Sequence, residues 1–253
     1  QVGLLFMEND IVVKMENISK YYGNISALNN ANLYLRKGEV LGLVGDNAAG
    51  KSTITKILSG AVIPDKGKIY LNQKEKIFKS PSDAKSNKIE MVYQDLSLCD
   101  SLDVSGNLFL GREIIRNFFG FNFLNKNQMN LESQKILNEL SIKVKSTKQK
   151  VEFLSGGQRQ SIAIGKAISS KPEVLIMDEP TSALAIAEVE SVLRLINEVK
   201  KRGVSVILIT HRLQDIFKVC DRVTVMFEGK DVADKSIQEL DLNKLVSLIV
   251  QEH

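Results

Sequence analysis

The chain has 253 residues, room for one large domain or two small ones, and 43% of them are hydrophobic against 25% charged, the balance of a globular protein with a sizeable core. No apolar run approaches the ~18 residues that cross a bilayer. The net charge of +4 comes from scattered Lys and Arg, which speaks against a dedicated nucleic-acid binder, and the two cysteines, Cys99 and Cys220, form no motif and fit a reducing cytosolic compartment.

The start, QVGLLFMEND, lacks the basic leader and long apolar stretch of a secretion signal, and Met7 or Met15 reads as the natural start. IVVKMENISKYYG and ANLYLRKGEV then read as short, alternating strands, and KGKIYLNQKEKIF, from Lys66, as a hairpin. Together they predict a small antiparallel layer. VLGLVG (40–45), VLIMD (174–178), VSVILIT (204–210) and RVTVMF (222–227) are apolar without alternation, the pattern of parallel strands covered on both faces. From about Asp95 to Ser155 no strong strand is seen, and stretches such as LESQKILNELS predict an inserted helical subdomain. In IAEVESVLRLINEVKK, Ile186, Val189, Leu193, Ile196 and Val199 share one helix face, basic residues fill the last turn, and Gly203 follows as a C-cap. Strand–helix–strand alternation makes this an α/β chain. One domain is expected over 10–253: a core of 10–94 plus 168–253, with 95–167 as the helical subdomain. His253 reads as a solvated end.

GDNAAGKST follows an apolar strand and precedes a helical stretch, TITKILSG, which is the required context for a phosphate-binding P-loop. Gly45 and Gly50 let the backbone turn its N–H groups inward. The residues between them, Asp46, Asn47, Ala48 and Ala49, complete the cradle, and the following helix aims its positive end at the same place. Lys51 reaches the terminal phosphates, Ser52 offers a hydroxyl to Mg²⁺, and Thr53 lies beside it. Ala48 stands where many such loops carry another glycine; a positive φ there adds strain of about 1 kcal/mol.

VLIMDEP ends a buried strand with Asp178 and Glu179, at the sheet edge where α/β proteins place ligands. Two carboxylates this close repel unless a cation joins them. Asp178 is therefore assigned to Mg²⁺ and Glu179 to the attacking water, as general base. His211 ends another strand at the same edge and is read as a γ-phosphate contact. Gln94, after IEMVY, is from spacing alone as readily a solvated loop amide as a group that positions water or Mg²⁺.

A second glycine turn, FLSGGQRQSIAIGKA, also opens a helix. LSGGQRQ between a P-loop and an apolar strand ending in DE is specific, and here the sequence resembles the ATPases of ATP-binding-cassette (ABC) transporters over nearly its whole length. The resemblance implies a P-loop NTPase fold. It also implies ATP and Mg²⁺ as ligands, and Ser155, Gly156, Gly157 and Gln158 capping an ATP held by a second, head-to-tail subunit. Tyr22 corresponds to the aromatic residue that stacks on adenine, with Tyr21 the alternative. Gln94 matches the Q-loop and His211 the switch histidine. Ala185, in SALA, occupies the place usually held by aspartate.

YQDLSLCDSLDVSGNLFLGRE and TSALAIAEVE are similar to segments of bacterial sugar importers of the ribose, xylose and fructose type. This implies a peripheral subunit at the cytoplasmic face of the membrane. It would be dimeric with ATP, joined to permease subunits and served by a solute-binding protein, with no nucleic-acid partner. A complete single cassette is the favoured reading of the chain. The alternatives are a cassette for another solute or an exporter and, less favoured, an ABC ATPase acting on ribosomes or DNA. For the aromatic run NFFGFNF (117–123), local packing is favoured over a rim that meets a permease helix.

Overall fold

The computed structural model describes residues 10–118 and 121–250. Met7, His253 and the centre of the aromatic run lie outside them. The elements in chain order are β1 (Ile11–Tyr22), β2 (Ile25–Arg36), β3 (Val40–Gly45), α1 (Lys51–Leu58), β4 (Lys66–Leu71), β5 (Lys74–Lys76), α2 (Pro81–Ser86) and β6 (Ile89–Val92). There follow α3 (Val104–Phe109), β7 (Ile115–Phe118), β8 (Phe121–Leu124), α4 (Lys126–Glu139), α5 (Gly156–Ile168) and β9 (Val174–Asp178). The chain closes with α6 (Ile186–Lys201), β10 (Ser205–Ile209), α7 (Leu213–Val219), β11 (Arg222–Phe227), β12 (Lys230–Ser236) and α8 (Leu242–Val250).

The central sheet runs β12-β11-β3-β10-β9-β6, parallel except for β12 at one edge. Its inner strands are apolar at most positions because each face has its own cover. Leu41, Leu43, Ile176, Ile207 and Ile209 pack with α1 and with Met15 and Leu33 of the second sheet. Val40, Val44, Leu175, Met177, Val206 and Leu208 turn the other way, onto α5, α6 and Leu245 of α8. The second sheet, β2-β1-β4-β5, is antiparallel. A third, smaller core joins Val104, Leu108, Leu137, Val151, Leu154 and Ile162 from α3, α4, α5 and the turn before α5.

Two expectations need correction. β1 and β2 are not short; each has 12 residues. Register shifts between Met15 and Ile18 and between Ile18 and Lys20 interrupt the alternation that would have revealed their length. The segment from Asp95 to Ser155 carries one short hairpin, in which β7 and β8, of four residues each, pair antiparallel. That hairpin corrects the packing reading of the aromatic run: Phe121 is 70% and Phe123 49% exposed, so these rings face solvent rather than the core.

The helix ends follow local chemistry. Ser80, Asp103, Asn125 and Ser155 accept a backbone N–H at the starts of α2, α3, α4 and α5. Gly203, at φ +82°, closes α6 by donating to the Lys200 carbonyl.

Candidate active site at the strand ends

β3 stops at Gly45, whose φ is +148°, and α1 starts from Gly50 at φ +100°. Neither turn tolerates a side chain. A Cβ on Gly45 would stand 2.2 Å from the Met226 carbonyl oxygen, and one on Gly50 would stand 2.7 Å from Leu28 Cδ2. Ala48 adopts φ +64°, the strained conformation its position foretold. The loop is braced from below, where Gly229 N donates to Ala49 O at 3.1 Å and Asn29 N to Gly229 O at 2.9 Å. Inside it, Lys51 Nζ donates to the carbonyls of Gly45 and Asp46, both at 2.9 Å. Burial pulls the Lys51 ammonium below its ordinary range, against the pull of Glu179, Asp46 and Asp178. Ser52 is exposed and Thr53 half-buried on the first turn of α1.

β10 lies between β3 and β9, so its end falls between the Lys51 loop and the acids. Asp178 is held above the carboxylate range, first by burial and then by Glu179. The sequence suggested repulsion as the cause; desolvation is the larger one. Glu179 sits at φ +51°, with its amide donating to Ile209 O at 2.9 Å. This backbone twist aims the carboxylate at His211, whose Nδ1 lies 2.7 Å from Glu179 Oε2. The contact is within ion-pair distance but not aligned as a hydrogen bond, and Oε2 is buried with no other partner. His211 itself is 67% exposed on its side chain. Behind this pair, Thr181 Oγ1 donates to Asp215 Oδ2 at 2.7 Å, both residues buried, and Arg212 Nε stands 3.3 Å from the same oxygen. The sequence reading missed this tie, which fastens the turn after Glu179 to the helix after His211.

Gln94 follows β6 in an exposed bend at the same edge of the sheet. Tyr21 and Tyr22 are both about half exposed, and Lys20 Nζ stands 5.7 Å above the Tyr22 ring. Successive strand residues face opposite ways, so only one of the two rings can serve a given site.

The Ser155–Gln158 turn is a separate structure. Ser155 Oγ accepts from Gln158 N at 3.3 Å, Gln158 Oε1 accepts from Ser155 N at 3.1 Å, and Gln158 Nε2 donates to Lys143 O at 3.0 Å. Among the described residues, no hydrogen bond or ion pair joins this turn to the Lys51 loop, Asp178, Glu179 or His211.

The profile of the ABC transporter family matches residues 28–182, more than half of the chain. The chain belongs to the ABC transporter family. The cassette is 40% identical over 238 residues to the xylose/arabinose import ATP-binding protein XylG of Sulfolobus acidocaldarius, covering 94% of this chain and 93% of that one. It is 41% identical to the fructose import ATP-binding protein FrcA of Rhizobium meliloti, with 88% of each covered. Against the ribose import ATP-binding protein RbsA of Clostridium tetani it is 38% identical, with 96% of this chain spanning 48% of that protein. The ATP-binding cassette MJ1267 in its ADP conformation superposes with a TM-score of 0.80 at 26% identity, covering 96% of this chain and 99% of that one. The cassette is thus an ATPase of nucleotide-binding fold. Among its described residues no helix is long and apolar enough to cross a membrane.

Proposed function

We propose that the cassette hydrolyses ATP to drive uptake of a monosaccharide through a membrane permease to which it binds at the cytoplasmic face. The observation that carries the ATPase chemistry is the meeting of Glu179 and His211, 2.7 Å apart, on the strand ends beside the Lys51 loop. The monosaccharide comes from the relatives, which are named for import of xylose or arabinose, fructose and ribose.

Lys51 leaves the Gly45 and Asp46 carbonyls to meet the terminal phosphates, while the amides of the loop hold the others. Tyr22 stacks on the base. Ser52, Gln94 and Asp178 offer hydroxyl, amide and carboxylate oxygens, a hard donor set suited to Mg²⁺. The surroundings fit a cation: Asp178 is raised by burial and by Glu179, and Glu179 Oε2 is buried without an aligned hydrogen bond. Bound there, Mg²⁺ would neutralise charge on the phosphate oxygens. Glu179 accepts the proton of the attacking water, and His211 orients its carboxylate and meets the γ-phosphate. Ser155, Gly156, Gly157 and Gln158 act on the nucleotide of a second copy. Their isolation from the Lys51 loop within one chain supports that division.

A groove of about 690 Å³ between β6 and α5, lined by Met91, Tyr93, Leu96, Leu110, Arg112 and Lys166, suits a permease segment. The β7–β8 hairpin begins three residues after Arg112, and its Phe121 and Phe123 are exposed, a second apolar feature available to the permease. The test is reconstitution with the permease and a solute-binding protein, followed by a sugar screen. One monosaccharide is expected to stimulate ATP hydrolysis and accumulate inside vesicles. Hydrolysis that responds to no sugar but to another solute class would overturn the monosaccharide.

A further inference from the structure

The Ser155–Gln158 turn already holds an anion, and it belongs to the same chain. Glu188, in the first turn of α6, accepts the Gly157 amide on Oε1 at 3.0 Å, and the neighbouring Ser155 hydroxyl and the Gly157 amide hold its carboxyl below the ordinary range. Its Oε2 accepts from Ala185 N at 3.3 Å. One carboxylate thus lies at the amino ends of two helices, α5 and α6, and satisfies donors from both.

The close approach of Gly157 serves this contact. A Cβ on Gly157 would stand 2.7 Å from Glu188 Cβ and 2.9 Å from Glu188 Cγ, and one on Gly156 would meet Leu184 Cδ2 at 3.2 Å. The two glycines therefore seat the start of α6 against the start of α5 before any nucleotide arrives. Ala185 caps α6 with no side-chain acceptor, so the bond from Ala185 N to Glu188 is the only half of a capping box that α6 has.

We propose that Glu188 is a resident competitor for the Ser155 turn: its carboxylate occupies the Gly157 amide beside Ser155, and the partner's triphosphate takes over this helix end, Ser155 included, as the two-chain site closes. The proposal rests on the reading that this turn acts on a second copy's nucleotide. Two anions of like charge at one helix end oppose each other, so the resident carboxylate raises the ATP level needed for closure. It also gives the chain a physical link between its two half-sites. Glu188 is nine residues beyond Glu179, and the segment between them packs through Leu184 on Gly156. In this chain the link runs through the Glu188 carboxylate, because Ala185 offers no side-chain oxygen.

The test uses Glu179→Gln chains, which hold ATP without turning it over, with dimer formation followed against ATP by light scattering. Adding Glu188→Gln keeps the shape and removes the charge, and is expected to lower the ATP concentration at half-dimerisation about five- to tenfold. ATP binding to monomers blocked by Ser155→Arg should be unchanged by Glu188→Gln. In a Ser155→Ala background the gain from Glu188→Gln should shrink, which a mere role in capping α6 would not produce. Should Glu188→Gln fold poorly, Glu188→Asp, which keeps the charge and loses the reach, carries the same comparison. An unchanged or higher ATP midpoint in a parent that does dimerise overturns the proposal alone. A parent that stays monomeric in saturating ATP, by itself and with its permease, removes the two-chain reading and the proposal with it.

Discussion

The two glycine turns of the cassette look alike in sequence and are built on different physics. In the Lys51 loop the glycines supply handedness: Gly45 and Gly50 sit at φ +148° and +100°, and the alanine between them is strained at +64°. In the Ser155 turn the backbone is ordinary, with Ser155 at φ −66°, and the glycines supply only smallness, so that Glu188 can approach. The first turn has no side-chain cap and holds its lysine on its own carbonyls; the second has a full capping box and a carboxylate in place. One loop is shaped for a ligand and strained without it. The other is internally satisfied and must be persuaded to let go.

The largest expected effect tests whether the two turns work on different chains. Lys51→Ala and Ser155→Arg chains are each expected to be inactive, and mixing them should restore ATP hydrolysis from heterodimers with one intact site. No recovered activity in the mixture, measured by phosphate release, would break the division between chains.

Next in size is a pair of glycine substitutions. Gly157→Ala should destabilise the fold by about 1–3 kcal/mol through overpacking against Glu188. Glu188→Gly in the same chain should absorb part of that loss, a coupling visible in a denaturant double-mutant cycle. Gly45→Ala should find no such rescue, because its Cβ meets the backbone of Met226 at a strained φ. Equal rescue at both sites, or at neither, would erase the contrast drawn above.

Smaller still, Ala48→Gly should relieve about 1 kcal/mol of backbone strain. If the ATP-bound loop keeps the same φ, the gain appears as a higher melting temperature with unchanged ATP affinity. Calorimetry of unfolding and of ATP binding separates that outcome from one in which affinity changes.

The smallest effect is electrostatic. Asp178 is raised in the folded chain, so between the ordinary carboxylate range and its raised value the folded state binds more protons than the unfolded one, and stability falls as pH rises. Asp178→Asn should therefore raise the melting temperature at neutral pH, and the gain should vanish as pH drops below the ordinary carboxylate range. A gain that grows toward acid pH would contradict the burial of Asp178.

The same contrast decides what could be read in the sequence. The strands at 40–45, 174–178, 205–209 and 222–227 were plain because burial on both faces makes their interiors apolar, with Thr224 the exception. β1 was blurred by its register shifts, and the β7–β8 hairpin was hidden because all four described residues of β8 are exposed and no buried face marks its period. The Lys51 turn is a local signal, written in consecutive residues. The Glu188 contact spans 31 residues and the Thr181–Asp215 tie spans 34. Their partners are chosen by how α6 and α7 pack, and an Ala185 without a capping oxygen removes the usual hint that Glu188 opens a helix.

The strand order has one more outcome. Because β10 is inserted between β3 and β9, the lysine-bearing turn and the paired acids stand two strand steps apart, about 9–10 Å at the usual spacing. Adjacent strands would have let the ammonium collapse onto the carboxylates in a simple ion pair. The inserted strand keeps opposite charges at arm's length, a gap the width of a phosphoryl group and a hydrated ion, and carries at its own end the histidine that leans on the acid side.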